Sequence, residues 1–171
     1  MAVAYYKNKY TAIPIWILIK VLTFGVVRDL ICISGSSVKG YIGKKIVNDK
    51  KLKFKEVNNM LELLIHLRNI CCHDDKLFGF EHNKVRIMNT EIHEYFKIKK
   101  NKQGTYIKGK KDLFATLIAI KCFVDKTTYD EFIDNISNLI DEYSSKITSI
   151  TIKEMLDSMY LPENFVEIKK L

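Results

Sequence analysis

The sequence predicts an all-α protein, a bundle of about five to six helices, on three observations. Only two prolines and seven glycines interrupt its 171 residues. Leu, Ile, Lys and Glu recur over stretches of helical rather than strand length. Capping signals, a Thr or Asp at the head of an apolar run, punctuate the second half of the chain. With 47% apolar residues the chain can bury one sizeable core, so residues 1–171 are expected to form a single domain.

Thr11 precedes a first helix that tolerates Pro14 in its opening turn, where a missing donor costs nothing, and that is expected to run to about Ile33. Gly25 weakens its interior by about 1 kcal/mol relative to alanine, and Ser34-Gly35-Ser36-Ser37 reads as the turn that ends it. A short helix from Val38 to Asn48 and a basic connector from Lys50 to Lys55 follow. From Phe54 the apolar positions return at helical spacing through Leu61, Leu64, Leu67 and Cys71. The stretch from Asp74 to Lys111 is poorly periodic, with one short helical or extended piece from Thr90 to Phe96. Asp112 caps an apolar helix to about Val124, Thr128 and Glu131 form a capping-box pattern ahead of a helix to Tyr143, and Thr151 with Glu154 repeats that signal. The last helix stops ahead of Pro162, and the tail beyond has little pattern. No internal repeat or linker marks a second domain.

The formal charge of +8 points to a polyanionic partner such as nucleic acid or an acidic membrane surface. AT-rich coding would produce the same abundance of Lys, Ile, Asn and Tyr with no ligand at all. The four cysteines form no C-x-x-C pair, and adjacent Cys71 and Cys72 cannot make a low-strain bridge, which fits a reducing compartment. The amino terminus lacks the ordered basic, apolar and small-residue regions of a secretory signal, so none is expected. The apolar stretch from Ile13 to Ile33 contains Lys20, Arg28 and Asp29, charges that a bilayer span would bury. It therefore reads as a core helix, and the protein as cytoplasmic with no membrane partner.

On a helical wheel, Met60, Leu61, Leu63, Leu64, Ile65, Leu67, Cys71 and Cys72 occupy one wide apolar arc. Arg68 falls inside it, and a buried unpaired charge costs several kcal/mol, so its guanidinium must reach a partner, a ligand or an interface edge. Glu62, His66, Asn69 and His73 lie opposite, with Asn69 and His73 four residues apart. One helix end thus presents an arginine, an amide and an imidazole. Imidazole moves protons near neutral pH, and arginine matches phosphate oxygens with a fixed fork of donors. Arg68 and His73 are roughly 140° apart on a straight helix. Either the helix ends near Cys72 and His73 swings round, or two copies build a composite site across a two-fold axis.

Arg68-Asn69-Ile70-Cys71-Cys72-His73 resembles the motif of HEPN ribonucleases, an arginine followed by a polar residue and then by a histidine a few positions on. More narrowly, Leu67 to Phe78 (LRNICCHDDKLF) resembles the corresponding segment of the Abi-like abortive-infection family. Ile13 to Gly25 (IPIWILIKVLTFG), Lys111 to Phe123 (KDLFATLIAIKCF) and Leu161 to Phe165 (LPENF) resemble that family's helix ahead of the motif, helix after it and closing segment. Many members carry a further amino-terminal half that this chain is expected to lack. Cys72 stands where a small alanine is common, and Asp74 and Asp75 follow where histidine or other polar residues are frequent.

The resemblance implies a HEPN-like fold and metal-independent RNA cleavage without a cofactor, in a phage-defence or toxin–antitoxin setting. His73 would be the acid–base group, Arg68 would hold the scissile phosphate, and Asn69 would orient one of them. It also implies a homodimer through the motif helices and an antitoxin protein or inhibitory RNA as a possible restraint. The alternative is a non-catalytic HEPN module that binds RNA or scaffolds a partner.

Other residues carry weaker signals. Cys72 beside His73 is poorly placed as a nucleophile–base pair, because adjacent helical positions diverge by about 100°. The cysteines and histidines show no zinc-ligand spacing. His82 and His93 read as surface or capping residues, whereas His66 shares the polar face with His73 and is a candidate supporting residue. The segment KIKKNKQGTYIKGKK holds Lys97, Lys99, Lys100, Lys102, Lys108, Lys110 and Lys111, no acid, and Tyr106 near two glycines. It reads either as a flexible phosphate-tracking loop with a stacking aromatic or as a solvated connector. The basic run from Lys44 to Lys55 adds weight to RNA.

Overall fold

A computed structural model describes residues 2–10, 12–45 and 52–171. Among them are nine α-helices and one 3-10 segment, with two isolated bridges and no β-strand. The all-α expectation holds. Five helices have ten residues or more: α3 (Phe24–Ile33), α4 (Ser36–Lys45), α5 (Phe54–Cys72), α7 (Leu113–Phe123) and α8 (Lys126–Ser144). The shorter ones are α1 (Ala2–Lys9), α2 (Ile15–Leu18), α6 (Glu91–Tyr95) and α9 (Ile152–Ser158).

The core is built around α7, whose residues Leu113 to Ala119 are all buried. A helix that is apolar all round needs cover on every side. Met60 and Leu63 of α5, Tyr129 and Ile133 of α8 and Leu156 of α9 supply it, together with Leu161. The tail completes the cover, although the sequence gives it little pattern: Phe165–Lys170 forms the 3-10 segment, and Phe165 and Ile168 are buried. That segment lies against α8, where Lys169 pairs with Asp134.

The amino-terminal helices are different. Of the described residues ahead of Val57, only Gly43 is buried, and a Cβ there would stand 2.6 Å from the Leu52 carbonyl oxygen. The single helix expected up to Ile33 is instead broken. Pro14 caps α2, the chain turns after Leu18, and Thr23 in an extended conformation starts α3 with its hydroxyl accepting from the Val26 N–H. Thr, free to bond the backbone locally, favours such a cap over a helix interior. The stretch is not a core helix either, since α2 and α3 bury no residue completely. The Thr11 cap, the end of the expected Val38–Asn48 helix and the Lys50 end of the connector lie outside the described residues.

What holds α3 down is polar. Arg28 sends Nε to Asn58 Oδ1 at 2.9 Å and Nη2 to Glu62 Oε2 at 2.7 Å, and the Cys32 thiol adds a 3.0 Å contact to the same Asn58 oxygen. The capping expectations fare variously. Asp112 caps α7 and Thr151 with Glu154 forms a reciprocal box on α9. At α8 the cap is Asp125 rather than Thr128, which sits in the first turn and gives both its N–H and its hydroxyl to the Asp125 carboxylate. An acid is as good an N-cap as Thr and also complements the helix dipole.

Candidate active site

Arg68, Asn69 and His73 all lie at the carboxyl end of α5 and all are exposed. The helix is pinned at its start, where the Lys53 N–H donates to Glu56 Oε2 at 2.9 Å. Its first half is embedded through Val57, Met60, Leu61 and Leu63. It stops at Cys72. His73 is the capping residue, its N–H shared between the carbonyls of Asn69 and Ile70, and Asp74 then turns into the left-handed region at φ 53°. The Asp75 N–H returns to the Ile70 carbonyl at 3.1 Å, closing the end in the manner of a Schellman motif. Aspartate is one of the few residues other than glycine that accepts this conformation.

Within the cluster, Arg68 Nη1 donates to Asn69 Oδ1 at 3.3 Å. Among the described residues Arg68 forms no ion pair, and the His73 imidazole has no hydrogen-bond partner. The structure therefore joins the Arg68 and Asn69 side chains and gives neither a side-chain hydrogen bond to His73. The apolar arc is also shorter than the wheel implies. Leu64 and Leu67 pack against the core, but Cys71 and Cys72 are exposed, because no described element covers the last turn of α5. Arg68 is thus not buried, although it occupies the arc.

His66, one turn earlier, is exposed and packs its ring against Phe80 at 5.6 Å and His82 at 5.0 Å. It has no hydrogen bond to Asn69 or His73. Of the two roles expected for His82 and His93, surface or capping, both take the capping one. Nδ1 of His82 accepts the N–H groups of Lys84 and Val85. Burial, and then His66 beside it, hold the His82 imidazole below its ordinary pKa. His93 is fully buried, with Nδ1 accepting the Thr90 N–H and Nε2 bonded to the Gly109 carbonyl at 2.7 Å. Burial lowers its pKa as well, so the neutral tautomer with a proton on Nε2 satisfies both contacts.

The basic segment is not an open tract. Lys100 and Tyr106 form a bridge, the Asn101 N–H reaches the Thr105 carbonyl, and Gly104 turns at φ 74°. Lys97, Lys99, Lys100 and Lys102 are exposed. Lys108 and Lys111 are committed to ion pairs with Asp157 and Glu81, both at 2.6 Å. Lys110 is buried. Tyr106 does not offer a stacking face: it is 6% exposed, stacks on His93 at 4.7 Å and has the Lys100 ammonium 4.6 Å from its centroid. A small polar-looking loop conceals this, because the ring on which Tyr106 stacks, His93, comes from outside the basic segment.

Among the described residues no group of three or more His, Cys, Asp or Glu side chains is placed to hold a metal ion, and no helix is long and apolar enough to cross a membrane. Residues 1–79 match the family model described as Abi-like protein. That span contains Arg68, Asn69 and His73, and over it the chain is similar to the Abi-like family. The segments from Lys111 to Phe123 and from Leu161 to Phe165 lie outside the match. No curated protein and no solved structure matches the chain.

Proposed function

We propose that this chain is a metal-independent endoribonuclease of a phage-defence or toxin–antitoxin system, acting as a two-fold dimer. The observation that carries the reading is the exposed Arg68-Asn69-His73 cluster, free of any ion pair among the described residues, inside the span that matches the Abi-like family. A guanidinium without a carboxylate partner is available to phosphate oxygens, and an exposed imidazole is accessible for proton transfer. In the reaction the ribose 2′-oxygen bonds to phosphorus as the P–O5′ bond breaks. The 2′-hydroxyl loses its proton and the 5′-oxygen gains one, leaving a 2′,3′-cyclic phosphate and a 5′-hydroxyl. His73 moves the protons, Arg68 neutralises the phosphate, and Asn69 holds the guanidinium through its 3.3 Å bond.

Two features support the dimer. Arg68 and His73 share no hydrogen bond within one chain and stand about 140° apart on a straight helix, so a second copy of the α5 end would complete the site. Large apolar side chains also stand uncovered on α2 to α4, among them Trp16 at 63%, Ile33 at 80% and Tyr41 at 65% exposure, a concentration unusual for a solitary surface. The test is incubation of the full chain with total RNA in EDTA, comparing wild type with His73→Ala. Cleavage by the wild type alone, with cyclic phosphate ends, is the expected result. RNA binding without cleavage would favour a non-catalytic module of the same family.

A further inference from the structure

The stretch from Phe80 to Asn89 runs along the polar edge of α5. His66 of α5 meets Phe80 and His82, and one turn from the helix start Asn59 Nδ2 donates to the Arg86 carbonyl at 3.0 Å. The same stretch is stitched to the basic segment: the His82 N–H donates to the Lys111 carbonyl and the Ile87 N–H to the Lys110 carbonyl. Between them lies a cavity of about 240 Å³ lined by Arg86, Asn101, Thr105, Lys110, Lys111 and Asp112, among others.

The charges in this cavity do not balance. Lys111 is paired with Glu81. The Asp112 carboxylate is committed to the start of α7, accepting the N–H groups of Gly109 and Ala115. Arg86 and Lys110 form no ion pair among the described residues. Lys110 is 8% exposed, and among the described residues its ammonium bonds to the amide oxygen of Asn89 at 2.8 Å. Burial, and then the guanidinium of Arg86, push its pKa below the ordinary amine range. A sequestered ammonium beside a second cation is costly unless an anion is supplied. Asn101 and Thr105 add neutral polar groups at the rim.

We propose that the Arg86–Lys110 cavity is a phosphate-binding subsite. A phosphate oxyanion there would meet the fork of Arg86 and the ammonium of Lys110, and would favour the charged form of the lysine. Asn59 and His73 are fourteen residues apart, which places the subsite and the His73 end about 21 Å from each other along α5. The RNA assignment rests on the ribonuclease reading: a single strand running between the carboxyl end of α5 and the cavity would seat one backbone phosphate at Arg68 and another, several nucleotides away, at Arg86. The phosphate chemistry itself does not rest on that reading.

The test uses the full chain carrying His73→Ala, so that RNA stays intact, with Arg86→Ala, Lys110→Met and both added. Lys110→Met keeps the buried stem and removes the charge, and Lys110→Arg is the conservative control. Each single change is expected to weaken binding of a twelve-nucleotide RNA at least tenfold. Together they should lower the slope of log affinity against log salt by about 0.7, the share of one single-strand phosphate contact. Inorganic phosphate and a mononucleotide, titrated separately, should shift the NMR signals of the Arg86 side chain and the Ile87 amide. Mononucleotide binding at micromolar concentration without competition from RNA would keep the phosphate site and make a free nucleotide its ligand. Unchanged RNA affinity and no phosphate-induced shifts in folded protein would overturn the subsite. Loss of cleavage in wild type with the subsite intact would instead overturn only the ribonuclease reading.

Discussion

Arg28 and Glu62 face each other across 2.7 Å between α3 and α5, thirty-four residues apart in sequence. This ion pair, with the Arg28–Asn58 bond beside it, ties the exposed amino-terminal helices to the helix that carries the candidate site. The apolar stretch from Ile13 to Ile33 therefore docks through one of the charges that argue against a membrane span.

Removing the tie should be felt locally. Arg28→Ala leaves Glu62 and Asn58 without their donor, and hydrogen bonds to charged groups are worth about 1.5–3 kcal/mol, less here because both partners are partly exposed. Hydrogen exchange is expected to speed up in α3 far more than in α7. Uniform acceleration of both helices would show that α3 is part of the main cooperative unit instead.

On the ribonuclease reading, His73→Ala should lower the cleavage rate by about two to four orders of magnitude and leave the melting temperature unchanged, because the side chain is exposed and unbonded. Arg68→Ala should abolish cleavage and also weaken RNA binding, while Asn69→Ala should be milder. Single-turnover rates with circular dichroism melts check all three. Cleavage that survives in both the Arg68 and His73 variants places the chemistry elsewhere.

The lysines of the basic segment divide into two groups with different expected phenotypes. Neutralising exposed Lys97, Lys99, Lys100 and Lys102 should reduce the salt slope of RNA binding by up to about 3, with a stability cost confined to the Lys100 contact on Tyr106. Lys108→Ala breaks the pair with Asp157 and should lower the melting temperature slightly with little change in slope. Equal slopes across the series would make the segment a solvated connector.

Stability should fall with mild acid. His82 and His93 have folded-state pKa values lowered by burial, so below about 6.5, the ordinary imidazole value, the unfolded chain binds protons that the folded chain resists. Their contribution is complete above that pH and is lost progressively as pH drops toward the folded values. Denaturant titrations from pH 8 to 5.5 should show this loss, and His93→Gln should flatten it. An unchanged profile in the His93 variant would remove His93 as its source.

Much of this architecture is legible in the sequence, because it is written in local chemistry. The helical period of α5 from Phe54, the Asp112 cap and the Thr151–Glu154 box depend on residues within a few positions of one another. The role of Gly109 does not: its φ of 76°, with His93 and Phe114 each 2.9 Å from where a Cβ would stand, follows from a contact sixteen residues back. The burial of Tyr106 and of the Phe165–Lys170 tail is equally nonlocal. At the candidate site, the wheel identifies which residues share the end of α5. It misjudges their burial, since periodicity assigns a face to Cys71 and Cys72 without knowing whether anything covers it.

That uncovered last turn has a consequence for how the protein tolerates change. Arg68, Asn69, Cys71, Cys72 and His73 contribute almost nothing to the core, so their replacement is nearly neutral for folding. Inactivating substitutions at this end should yield abundant, well-folded chains. On the proposed reading of a dimeric toxin ribonuclease, such variants would accumulate readily under selection, and in mixed dimers they would act as dominant inhibitors of the intact copy.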